Sequence, residues 1–122
     1  MLLIAKRDTP YVHLSDTDCI FEIKGSSYSV LIDDIYQKVI NWIEEKFPAI
    51  ECEIDWKFQF EMVSSASLKG IIKIVETLDK FSEQGKKIRI IWISPGGDTD
   101  IIEIGEDISE LSAIPFDFVQ RY

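Results

Sequence analysis

From Ile50 to Met62 the chain alternates without a break. Ile50, Cys52, Ile54, Trp56, Phe58, Phe60 and Met62 are apolar, and Glu51, Glu53, Asp55, Lys57, Gln59 and Glu61 between them are polar. Successive side chains on a strand point to opposite faces, so this run reads as a long strand with one buried face and one wet face. Parallel sheets covered on both faces do not show that alternation. The expectation is therefore a sheet whose helices pack against one face only.

The rest of the chain supplies those helices. Ile32, Ile35, Tyr36, Val39, Ile43 and Phe47 recur at three- and four-residue steps, predicting an amphipathic helix over residues 30–47 that Pro48 ends. Asp33 and Asp34 in its first turn suit the positive end of the helix dipole. A second helix is predicted from Ser65 to Gln84, with Leu68, Ile71, Ile72, Val75, Leu78 and Phe81 as its core stripe and Gly85 as its stop. A short third helix spans residues 99–112. "YVHL" (11–14) and "CIFEIK" (19–24) read as a hairpin around the turn "SDTD". "KIRIIWIS" (87–94), apolar on both faces, reads as a central strand, and "PFDFVQ" as a short last one. The order ββαβαβαβ predicts a single α/β domain, residues 1–122, with a mixed sheet of about five strands, two long helices and one short one.

Composition narrows the function. At 122 residues and 46% hydrophobic the chain suits one folded domain, and no apolar stretch approaches the roughly 18 residues that span a membrane. "MLLIAKR" is too short for a signal peptide and carries its charge on the wrong side, so a cytoplasmic protein is expected. With 22 acidic against 13 basic residues the net charge is −9, which disfavours nucleic acid and anionic membranes as partners. Cys19 and Cys52 each sit in an apolar–polar alternation and read as buried reduced thiols in preference to a disulfide. His13 has no Cys, Asp or Glu at ligand spacing, so no metal or other cofactor is expected.

Catalytic signatures are missing too. There is no P-loop, no Gly-x-Ser-x-Gly elbow and no His-Glu-x-x-His. A Ser-x-x-Lys nucleophile would need serine at position 66, which is Ala66, and the only histidine lies on a different strand from the serines. What stands out instead is "EMVSSASLKGII" (61–72), where the long strand gives way to the second helix. One of Ser64, Ser65 and Ser67 serves as the helix N-cap, by satisfying an orphan backbone N–H. Three hydroxyls exceed that need. A phosphate here would meet free N–H donors and the positive end of the dipole, with Lys69 one turn away as a counter-charge.

The sequence resembles the SiaC family of bacterial regulatory phosphoproteins over nearly its whole length. "IFEIKGSSYSVLIDDIYQKVINWIEEKF" is similar to the family's first half, "VSSASLKGIIKIVETLD" to its Asn-Thr-Ser-Ser-x-Lys helix start, and "GEDISELSAIPFDFV" to its closing segment. The resemblance implies a fold like the STAS domains of anti-sigma-factor antagonists. It implies a non-enzymatic switch, phosphorylated by a protein kinase, restored by a PP2C-type phosphatase, and binding a target such as a diguanylate cyclase when unphosphorylated. Aligned on Lys69, the phosphoacceptor falls on Ser65. Ser64 then stands where the family has Asn, and Ala66 and Ser67 where it has Ser-Ser. "SVL" (29–31) replaces the family's usual Pro-Glu-Asn, and Tyr28 and Met62 are read as parts of the partner surface. A constitutive binding module of the same fold is the second reading, and a small hydrolase the third.

Overall fold

The computed structural model describes residues 1–122. It is a six-stranded mixed sheet with three α-helices. In chain order the elements are β1 (Leu2–Leu3), β2 (Tyr11–Ser15), β3 (Ile20–Ser27), α1 (Ile32–Lys46), a 3-10 turn at Phe47–Ala49, β4 (Ile54–Val63), α2 (Ser65–Glu83), β5 (Ile88–Pro95), α3 (Thr99–Glu110) and β6 (Phe116–Arg121). The strands lie side by side in sequence order. β1, β2 and β3 pair antiparallel, and β3, β4, β5 and β6 pair parallel.

That order explains the one-sided architecture. Each parallel step is a crossover through a helix, crossovers are right-handed, and all three step the same way across the sheet. The three helices must then fall on one face. The strands agree: Ile54, Trp56, Phe58 and Phe60 of β4 are buried, while Asp55, Lys57 and Glu61 are exposed. β5 is central, as expected, with Ile88, Ile90 and Trp92 inward and Ile91 and Ile93 half-buried on the open face.

The core is aromatic. Phe21, Phe47, Trp56, Phe58, Phe60 and Trp92 are all essentially buried, with ring centroids between 5.6 and 6.2 Å along the chain of contacts. Two glycines let helices approach it closely. A Cβ on Gly105 would lie 2.5 Å from Trp92 Nε1, which donates to the Ile101 carbonyl at 2.8 Å and so pins α3 to β5. A Cβ on Gly70 would lie 2.2 Å from Tyr36 Cδ2, in the contact between α1 and α2. Gly70→Ala is therefore expected to destabilise by about 1–3 kcal/mol despite its better helix propensity. A denaturation midpoint at or above that of the unmodified protein would show that Tyr36 yields freely.

Four expectations need correction. The sheet has six strands and not five, because β1 is only two residues long and carries no period to read. The long strand starts at Ile54, so Ile50–Glu53 alternate without being strand. That bears directly on the cysteines, which form a disulfide, Cys19–Cys52, and are not reduced thiols buried on strands. Cys19 sits exposed in the β2–β3 turn and Cys52 in the loop entering β4, and neither belongs to a strand. Lastly, Met62 leaves the buried stripe. The β3–β4 register shifts between Gly25 and Ser26, with Glu61 as the extra residue, and the alternation flips beyond it.

A candidate regulatory site at the start of the second helix

Because β3 to β6 are parallel, their C-terminal ends share one edge of the sheet. The β3–α1 loop, the Ser64 junction and the β5–α3 loop all lie there. The bulge turns Met62 outward on β4, while β3 keeps its phase, so Ser27 follows Phe21 and Ile23 inward and is fully buried. Ser64 N–H donates to the Ser27 carbonyl at 2.9 Å, continuing the β3–β4 ladder one residue past its end.

The three serines now separate by role. Ser64 has extended backbone and is the N-cap: its Oγ accepts from Ser67 N–H at 3.2 Å. Ser67 is fully buried, and its hydroxyl donates to the Ser27 carbonyl at 2.7 Å. Its oxygen accepts from Ser27 Oγ at 2.7 Å and from Ser64 Oγ at 3.0 Å. Ser27 thereby spends its one proton on Ser67, so the 2.6 Å contact between Ser27 Oγ and Tyr36 Oη has the phenol as donor. Burial holds the Tyr36 phenol well above the usual tyrosine range, against the opposing pull of the Ser27 hydrogen bond. It stays a protonated donor and is no acid–base catalyst at neutral pH.

Ser65 takes no part in this network. It is the first residue of α2 and exposed, as is Ala66. The first turn of α2 carries no acidic residue, whereas α1 has Asp33 and Asp34 there and α3 has Asp100. Lys69 lies four residues on, on the same helix face as Ser65, and is exposed. With Lys73, Asp33 and Gln37 it lines a shallow groove between α1 and α2.

Around this point apolar side chains stand in solvent. Val30 is 95% exposed, Leu31 64% and Met62 54%, with Tyr28 just past half-buried. Val30 and Leu31 belong to the "SVL" segment that replaces Pro-Glu-Asn, and they go beyond the Tyr28 and Met62 expected from the sequence. Ser27 and Tyr36 join the site without a signal in the sequence, since no local pattern marks a serine that meets Ser67 across forty positions of chain or the phenol that bonds to it. His13 is remote, on β2 opposite Glu22, with its ring edge-on to Tyr11.

The site is thus a capped helix start with one exposed hydroxyl outside the buried network, on a sheet edge that also carries exposed apolar side chains. The SiaC family regulatory phosphoproteins match the chain over residues 3–121. The chain belongs to the SiaC family, and it is a regulatory protein, not an enzyme. Among solved structures it is similar to SiaC from Pseudomonas aeruginosa. One match is in the crystal structure of the diguanylate cyclase SiaD in complex with its activator SiaC, with TM-score 0.91, 16% identity, and 99% of each chain covered. Another is apo-SiaC, with TM-score 0.86, 16% identity, and 98% of this chain and 97% of that one covered. At that identity the likeness concerns the fold. No curated protein matches the chain. No helix is long and apolar enough to cross a membrane.

Proposed function

We propose that this protein is a cytoplasmic partner-switching regulator with Ser65 as its phosphoacceptor. A protein kinase adds the phosphate and a PP2C-type phosphatase removes it. The unphosphorylated form docks on its target through the edge that carries Tyr28, Val30, Leu31 and Met62, with Ser64 and Ser67 holding the helix start and Lys69 as local counter-charge. The crystallised complex of SiaC with a diguanylate cyclase supports a cyclase as the kind of target.

The observation that carries the reading is the division of labour among the serines. Ser64 and Ser67 are committed to the cap and the buried network, and Ser65 alone offers a free, exposed hydroxyl. A phosphate on Ser65 would add about −1.5 to −2 charges where helix N–H groups and Lys69 receive it without disturbing the core. It would also put a strongly hydrated group beside apolar side chains that must lose water on docking.

The test is a cycle. Target binding is titrated before kinase treatment, after it, and again after phosphatase treatment. Affinity that falls and then recovers supports the switch. Affinity that is the same in all three states points to the constitutive binding module, which the exposed apolar edge alone would also explain.

A further inference from the structure

We propose that a second copy of this chain pairs with the exposed edge of β6, joining two sheets into one across a twofold axis. The two edges of the sheet differ. β1, at one edge, is two residues long and leads into Lys6 and Arg7, so it offers almost no ladder to extend. β6, at the other, runs for six residues with no proline, lysine or bulge. Phe118 is 44% exposed and Val119 45%. Natural edge strands are ordinarily shortened, kinked or charged against such pairing; β6 is neither short nor kinked, and its only charges are one acid and one base, Asp117 and Arg121.

The backbone says which residues could pair. Pro115 C=O accepts from Ile90 N–H at 3.0 Å, and Arg121 C=O accepts from Gly96 N–H at 2.8 Å, both toward β5. By strand alternation the polar groups of Asp117 and Val119 also face β5, while those of Phe116, Phe118 and Gln120 face outward. An antiparallel neighbour must then bond through even-numbered residues. A twofold axis at Val119 satisfies this, with Phe118 facing Gln120 of the second copy in hydrogen-bonded pairs.

In that register Asp117 stands opposite Arg121 twice, once on each side of the axis, as an isologous interface requires. These are non-hydrogen-bonded pairs, where facing side chains come closest. The charges are available. Arg89 Nη1 lies 2.9 Å from Asp117 and its Nη2 lies 3.1 Å from Asp55, which leaves that trio one negative charge in excess. Arg121 has no ion pair and only a 3.5 Å contact to Gln59 Oε1. Because the paired strands run in opposite directions, the edges bearing Ser65 would point to opposite ends of the dimer.

Sedimentation of the full chain under reducing conditions tests this. The expected result is a reversible dimer at twice the 14.1 kDa chain mass. Arg121→Asp and Asp117→Arg should each place like charges opposite one another and weaken self-association by about tenfold or more. An equimolar mixture of the two variants restores both ion pairs and should dimerise like the unmodified protein. Gln120→Pro, which removes only an outward N–H, should also give monomer with an unchanged melting temperature, and with Arg121→Asp it carries the test if Asp117→Arg does not fold. A chain that stays monomeric at its highest soluble concentration overturns the proposal. So do charge variants that dimerise as well alone as mixed.

Discussion

Ser65→Asp is expected to weaken target binding by about a hundredfold, roughly 2.7 kcal/mol, and to leave the melting temperature within about 2 °C. The first effect follows from where Ser65 stands. A fixed negative charge on the sheet edge that carries Val30, Leu31 and Met62 must be stripped of water when that edge is covered, or meet the partner's surface uncompensated. The second follows from what Ser65 does not touch. Its hydroxyl lies outside the Ser27–Tyr36–Ser64–Ser67 network, and an acid at the start of a helix is favoured by the dipole. Ser67→Ala should do the reverse. It takes away the buried acceptor of the Ser27 hydroxyl proton and one donor to the Ser27 carbonyl, and costs about 1–3 kcal/mol of stability, while leaving the docking edge chemically unchanged. Isothermal titration against the target, beside thermal melts of both variants, reads this double dissociation. If Ser65→Asp loses stability and binding together, Ser65 is a structural residue and no switch.

The second large effect lies at the opposite edge of the sheet. Cys19 immediately precedes β3 and Cys52 shortly precedes β4, so the disulfide ties together the ends at which these parallel strands begin. It joins residues 33 apart in sequence, and the loop-entropy account puts its contribution at about 3–4 kcal/mol. Reduction, or Cys52→Ser, should lower the melting temperature by roughly 10–20 °C. Target binding below that temperature should not change, because the docking edge is where the same strands end. Cytosolic thiols ordinarily hold such bonds open, so a cytoplasmic protein would gain this stability only on oxidation. Identical melts with and without a dithiol reductant would mean that the bond contributes nothing.

The sequence carried much of this fold in its periods. The alternation of Ile54–Phe60 and the helical stripes of α1 and α2 reflect burial on one face of each element, and burial writes itself into neighbouring residues. Features that depend on distant chain segments did not show. The bulge that turns Met62 outward is a relation between β3 and β4, and nothing in β4 alone announces it. Ile50–Glu53 imitate a strand because Ile50 is buried beside an exposed Glu51, although no neighbour pairs with them, and that imitation hid the disulfide. At the site, three serines near a helix start were legible, and so was the surplus of hydroxyls over the single cap needed. Which one is spare was not. The buried partner of Ser67 is Ser27, brought in by β3 and held in turn by Tyr36 of α1, and only their arrival leaves Ser65 as the unengaged hydroxyl.

The most direct test of the switch is site-resolved mass spectrometry of the intact protein after incubation with its kinase and ATP. A single phosphate on Ser65, absent from Ser65→Ala, is the predicted outcome. A phosphate on Ser64 or Ser67, or none anywhere from residue 64 to 67, would contradict the account.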